Sequence, residues 1–381
     1  MPTITPSSQP TKLPTFLPSL HPSPAPSARA LNKIEIVDAD TSASLQGASF
    51  AVYDGNKDHI YMTACTTNQL NVLSVDWDYT TQRGTLTRVG SIPDQYRLGC
   101  AKGVDYDAVN NKVFVAAYSV GAFAVVDVSL PYSPQLVGWI LHREELSGAW
   151  GLTYDSAKRR CFVTGNAFDS VVYLNISNFA HPNITSYYQD PDYLSGARGI
   201  VYSEIDEVVF VAAYGSSRFT VLDVSSTGIT LKTSVQLTKA YGPTSLAHDS
   251  VNGIVYVACF SSDAIVYFDV TDLNDLEERF LLQESTVLNG ISDIKFDRFN
   301  SRLYTASKIG NAVAAIDVSN RTKSSNLLAH SVVDSSYLAG VTGLTFKTNL
   351  GNDLPGLTAI VVGCSDGDMG TLLQVIDNVT F

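Results

Sequence analysis

The chain predicts an all-β fold, a seven-bladed β-propeller with four-stranded antiparallel blades, and three observations carry that expectation. The first is an internal repeat. One pattern recurs seven times at a spacing of roughly fifty residues, clearest as GVDYDAVNNKVFVAAYSVGAFAVVDVS from Gly103 to Ser129, and a fixed period of this size marks stacked supersecondary units. The second is that each copy contains four β-type runs, the content of one propeller blade. The third lies at the two ends of the chain. The last copy stops at Phe381 after a third run, Thr371–Asp377, while an unaccompanied run, Lys33–Val37, stands ahead of the first copy. Pairing Lys33–Val37 with the last blade would complete its four strands and close the ring without an open edge.

The copies open at Phe50, Gly103, Gly151, Gly199, Ser245, Asp293 and Gly343, so blades are expected to start near residues 47, 100, 148, 196, 242, 290 and 340. The first run of each carries one member of an aromatic column: Tyr53, Tyr106, Tyr154, Tyr202, His248, Phe296 and Phe346. A turn rich in Asp, Asn, Ser and Gly follows, residues that bond their own backbone or tolerate left-handed conformations. The second run is continuously apolar, as in Val113–Tyr118 and Val255–Phe260, which is the pattern of strands covered on both faces. The third, as in Phe123–Val128, usually ends in Asp-Val-Ser/Thr, for example Asp127-Val128-Ser129. Such an Asp is expected to cap the next turn by accepting backbone amides rather than to bind metal. A more variable fourth run, such as Gln135–Leu141, completes the unit.

Val113–Gly138 reads VFVAAYSVGAFAVVDVSLPYSPQLVG. It resembles the repeat of the LVIVD family of β-propellers, whose unit runs approximately V-Y-V-A-x-x-x-x-G-L-x-V-I-D-V-S-x-P-x-x-P-x-x-V-G. Weaker copies cover most of residues 47–381, and the Pro-x-x-Pro element survives only as Pro131 and Pro134 in the second blade. The resemblance implies the propeller fold and a surface or secreted protein with no assigned reaction.

Residues 1–30 are a separate arm ahead of the propeller at 31–381. Proline recurs at Pro2, Pro6, Pro10, Pro14, Pro18, Pro22 and Pro26, each followed by Ser or Thr. Proline fixes φ and donates no hydrogen bond, so an extended polyproline-II rod is expected at roughly 3.1 Å per residue. The tract is similar to the proline–serine/threonine repeats of secreted and cell-wall proteins of algae and related protists. That resemblance implies an extracellular or surface-associated protein, although no basic-then-apolar leader pattern stands at the start of the chain. The arm itself reads either as a solvated spacer with no ordered partner or as a stalk that is glycosylated or engages a protein or glycan partner.

The net charge of −12 disfavours nucleic acid and anionic lipid as partners, and no apolar run is long enough to insert in a membrane. The five cysteines, Cys65, Cys100, Cys161, Cys259 and Cys364, fall in different repeats without metal-ligand spacing. They are expected as free, mostly buried thiols that pack as small hydrophobes. His248 is expected as a core histidine, and Asp366-Gly367-Asp368 as a hairpin turn rather than a calcium loop.

The candidate site is the column that enters each first strand: Ser49, Lys102, Trp150, Arg198, Thr244, Ser292 and Thr342. In a closed ring these residues converge on one mouth of the central channel. Lys102 and Arg198 would make that mouth positive on an acidic protein, Trp150 would add an aromatic face, and Tyr96, Tyr193 and Tyr337 stand just upstream. No catalytic triad, phosphate loop or metal cluster is written in the sequence, so neither a cofactor nor a metal is expected. A non-catalytic binding or scaffold propeller is therefore the expectation. The alternatives are a lactonase-type hydrolase, for which only Lys102, Arg198, Lys295, Asp105 and Asp293 could supply charge, and a carbohydrate-binding module.

Overall fold

The computed structural model describes residues 31–78, 81, 83–226, 228–320, 327–348 and 357–377; the Pro-rich arm lies outside the described residues. Seven four-stranded antiparallel sheets are arranged as a propeller. Blade 2 is typical, with strands Ala101–Asp107, Lys112–Ala117, Ala122–Asp127 and Gln135–Leu141 from axis to rim. In blade 7 the chain supplies only three strands after Val341. The fourth is Leu31–Asp40, which runs antiparallel to Met369–Asp377 from Leu31 opposite Asp377 to Asp40 opposite Gly370. The closing strand is thus longer at both ends than its apolar centre suggests, because backbone pairing continues past Ile34 and Val37 into polar residues.

The core is distributed between the blades. Each of the seven interfaces has its own apolar cluster; Phe210, Phe219 and Phe268, for example, stack between blades 4 and 5. Continuous apolar second strands such as Val208–Ala213, buried throughout, follow from being covered on both sides.

Each blade entry requires the left-handed backbone region. Glycine fills it at Gly47, Gly148, Gly196, Gly242, Gly290 and Gly340, with φ between 62° and 70°. The carbonyl there accepts from the residue that follows the second strand, as in Tyr214 N to Gly196 O at 3.2 Å. At most seams the amide donates to a side-chain oxygen of the preceding blade. Asn68 receives Cys100 N, Asp169 receives Gly196 N, and Asp263 receives Gly290 N, each at 2.8 Å. Asp368 receives Gly47 N at 2.8 Å and so latches the last blade to the first. The Asp-Gly-Asp turn is therefore a hairpin, and one of its carboxylates secures ring closure. The Asp-Val-Ser/Thr ends also behave as capping groups: Asp127, Asp269 and Asp317 accept from the backbone amides of Ser129, Thr271 and Ser319.

One expectation is overturned. Cys65 and Cys100 form a disulfide across the seam between blades 1 and 2, whereas Cys161, Cys259 and Cys364 are free and buried as expected. Cys65 follows a second strand and Cys100 holds the glycine position of blade 2, with φ 48°. These two places belong to adjacent blades and lie 35 residues apart in the chain, and they meet only where the two blades pack side by side. A non-glycine residue at that φ is unfavourable, so the cross-link accounts for the cysteine. Reduction should lower the melting temperature, since closing the intervening loop is worth about 3–4 kcal/mol. Replacing the pair as Cys65→Ala with Cys100→Gly should lose less than Cys65→Ala with Cys100→Ala, because glycine is at ease there by roughly 1 kcal/mol. Thermal melts with and without reductant check both orders.

Candidate functional site

First strands run from the mouth of the channel towards the opposite face, and their second mouth-side positions set how wide the channel is. A Cβ added at Gly103 would meet Trp150 O at 2.4 Å, and one at Gly151 would meet Arg198 O at 2.1 Å. Glycine there lets adjacent inner strands approach closely. The central cavity that remains has a volume of about 70 Å³ and is lined by first-strand residues including Gly103, Trp150, Arg198, Asp293 and Lys295. That is room for only a few waters, whereas small-molecule pockets run from about 300 Å³ upward. A ligand would therefore sit at the mouth rather than inside the channel.

The mouth brings Lys102, Trp150 and Arg198 together as expected. Lys102 Nζ lies 4.9 Å and the Arg198 guanidinium 4.8 Å from the centre of the Trp150 ring. Both backbones are held from the preceding blade, where Thr63 Oγ1 donates to Lys102 O and Thr164 Oγ1 to Arg198 O, each at 2.7 Å. Lys102 Nζ reaches Ser49 Oγ at 3.3 Å. Among the described residues no carboxylate pairs with Lys102 or Arg198, and Arg198 Nε is buried without an acceptor. Burial first, then the positive charges of Lys308 and Arg198, lower the pKa of Lys102 to about 8. Burial likewise lowers that of Arg198.

Thr244, Ser292 and Thr342 share the column but not the role. Thr244 Oγ1 donates to Ala258 O and Ile291 O, Ser292 Oγ to Ala306 O and Val341 O, and Thr342 Oγ1 to Gly340 O. Their hydroxyls are used in holding strands and seams together. Two residues that the column does not contain complete the aromatic wall instead. The Arg198 guanidinium sits 3.6 Å from the Tyr214 ring centre, and Tyr118 meets Trp150 edge-on at 5.5 Å. Their signal was present in the repeat, as the aromatic that directly follows the second strand at Tyr118, Tyr214 and Phe260.

The remaining channel charges serve the seams. Asp293 is buried, accepting from Ser245 Oγ at 2.6 Å and from the amides of Ile294 and Leu344 at 2.9 and 3.0 Å. Asp105 accepts from Tyr106 N and Tyr154 N. Enclosure by protein raises its pKa to about 6, against the lowering effect of those amides and of Lys295. His248 packs edge-on against Phe210 at 5.5 Å, and burial lowers its pKa. No cluster of His, Cys, Asp and Glu among the described residues could hold a metal ion.

No family model matches the chain, and no curated protein matches it in sequence. Solved structures do match in fold. The β-propeller domain of Cps50 (Swd1) from Myceliophteria thermophila is 10% identical with a TM-score of 0.63, covering 90% of this chain and 99% of that one. A protein from Lactobacillus plantarum is 17% identical with a TM-score of 0.61, covering 74% and 82%. The periplasmic gluconolactonase of Pseudomonas aeruginosa is 12% identical with a TM-score of 0.60, covering 77% and 86%. At these identities the likeness establishes the propeller architecture and nothing finer.

Proposed function

We propose that this protein is a non-catalytic binding propeller that takes a small anionic group, a carboxylate or acidic sugar, at the channel mouth. In this reading it is a surface or assembly component tethered by its Pro-rich arm. The observation that carries the reading is the pair of cations without carboxylate partners, Lys102 and Arg198, on either flank of Trp150. On a chain of net charge −12 they form a positive concavity where an anion is favoured, and the indole offers it apolar contact. A surface or extracellular setting is supported by the Cys65–Cys100 disulfide, since such bonds persist in oxidising compartments.

A second reading, a lactonase-type hydrolase, draws on the likeness to the gluconolactonase and on Asp105, whose raised pKa suits proton transfer near neutrality. The narrowness of the channel favours binding over catalysis. Elemental analysis for bound metal, together with turnover of a lactone panel, separates the two readings.

The binding reading is tested by calorimetric titration with a panel of carboxylates and acidic sugars. Arg198→Ala should weaken the best ligand by about ten- to a hundredfold, the range for a lost hydrogen bond to a charged group, and should reduce the salt dependence. Lys102 is charged below about pH 8 and neutral above it, so affinity should fall by roughly three- to tenfold between pH 7 and 9. Lys102→Ala should flatten that profile. A ligand whose affinity ignores Arg198→Ala and Lys102→Ala combined would refute the site.

A further inference from the structure

We propose that the Pro-rich arm folds back on its own propeller and docks residues 20–30 into an aromatic groove between blades 7 and 1. This groove opens on the face opposite the channel mouth. It has a volume of about 300 Å³, several times that of the channel, and its walls include Tyr53 and Trp77 of blade 1 and Phe346 of blade 7. Grooves lined by aromatic rings are the standard receptor for polyproline-II segments, which enter with little conformational entropy left to lose. The indole N–H of Trp77 has no acceptor among the described residues, and a polyproline-II strand presents free carbonyls.

Three facts select the arm as occupant. The first is where it ends. The closing strand begins at Leu31, opposite Asp377, at the same end of blade 7 as the groove, and the strand Leu357–Cys364 that forms the groove wall is the next but one in the sheet. Two strand spacings separate them, about 10 Å. The second is reach. Pro22-Ser23-Pro24-Ala25-Pro26 is the densest proline run of the arm. Pro26 lies five residues from Leu31, enough at roughly 3.1 Å per residue to enter the groove. The third is charge. The arm carries Lys12 and Arg29 and no carboxylate, while the groove sets Asp58 and Asp76 beside Lys57 and Lys347, of which Lys57 bonds Asn111. Asp58 is already engaged by Lys347 and Tyr53, which leaves Asp76 at the rim for Arg29. Attachment in the same chain supplies an effective concentration in the millimolar range, so even weak contact is populated. Residues 1–19 remain outside the groove and free to engage a partner.

The test uses Trp77 as the reporter, in a background with Trp139→Phe and Trp150→Phe. Acrylamide quenching of the full chain is compared with that of residues 31–381, both checked for the same circular dichroism and melting. Removal of the arm should raise the quenching constant about twofold or more. A synthetic peptide of residues 20–30 should restore protection, and the same peptide with Pro22, Pro24 and Pro26 replaced by Ala should not. Arg29→Glu in the full chain should act like partial removal, with circular dichroism and melting the same as for the unaltered chain. Equal quenching with and without the arm would overturn the proposal. So would protection that is lost only when residues 349–356 are replaced by a short turn, which would make that segment the occupant. Protection that grows with protein concentration alongside dimer formation would assign the groove to the arm of a second copy and overturn docking within one chain.

Discussion

Truncation to residues 41–381 should destabilise the propeller severely, whereas truncation to 31–381 should leave a folded ring. Residues 31–40 supply the whole outer strand of blade 7 and bury Ile34 within it. They also bond to blade 1, where Asp38 accepts from Leu86 N and Asp40 from Arg88 N, each at 2.7 Å. Loss of the Ile34 burial alone is worth about 1.5–3 kcal/mol, and the ladder and the two seam bonds add to it. A fall in melting temperature of about 10 °C or more is expected. The strand Met369–Asp377 would then be an open edge with the sequence Leu372-Leu373-Gln374-Val375-Ile376, a template for pairing between molecules. Melting and light scattering of the two truncations check this; equal behaviour would mean that the outer strand does not close the ring.

Arg160→Ala should be the most damaging single substitution between blades 3 and 4. The Arg160 side chain is 1% exposed. Its Nε donates to Asp155 Oδ2 at 2.7 Å and its Nη2 to Tyr202 OH at 2.8 Å, and the guanidinium lies within 6 Å of the ring centres of Phe162, Tyr173 and Tyr202. Removing one partner strands the buried carboxylate of Asp155 and costs about 3–5 kcal/mol. Replacing both partners, as Arg160→Met with Asp155→Asn, should recover a large part of that loss, since the desolvation penalty of the charges is then avoided. Denaturant unfolding of the single and double variants gives the coupling directly. A loss below about 1 kcal/mol for Arg160→Ala would show that the pair does not hold this seam.

Much of the site was readable because it is periodic. Lys102, Trp150 and Arg198 occupy one column of the repeat, and a closed ring has no freedom to place that column anywhere but at one mouth. Thr244, Ser292 and Thr342 share the column, yet their short side chains reach only the adjacent carbonyls. Lys and Arg are long enough to project past them. Tyr118 and Tyr214 were overlooked because they follow the second strand, which a blade-by-blade reading assigns to the core.

The period, the apolar runs and the unpaired strands at either end were enough to determine seven blades, their limits and the manner of closure. Each of those features is local in the chain or repeated along it. The tertiary structure alone decided what happens at the seams. There the turn of one blade meets the entry of the next, so that Cys65 bonds Cys100, Asp368 holds Gly47, and glycines let the inner strands close in on the channel. Those outcomes depend on distances across the ring, set by how closely neighbouring sheets pack, and no spacing along the chain records them.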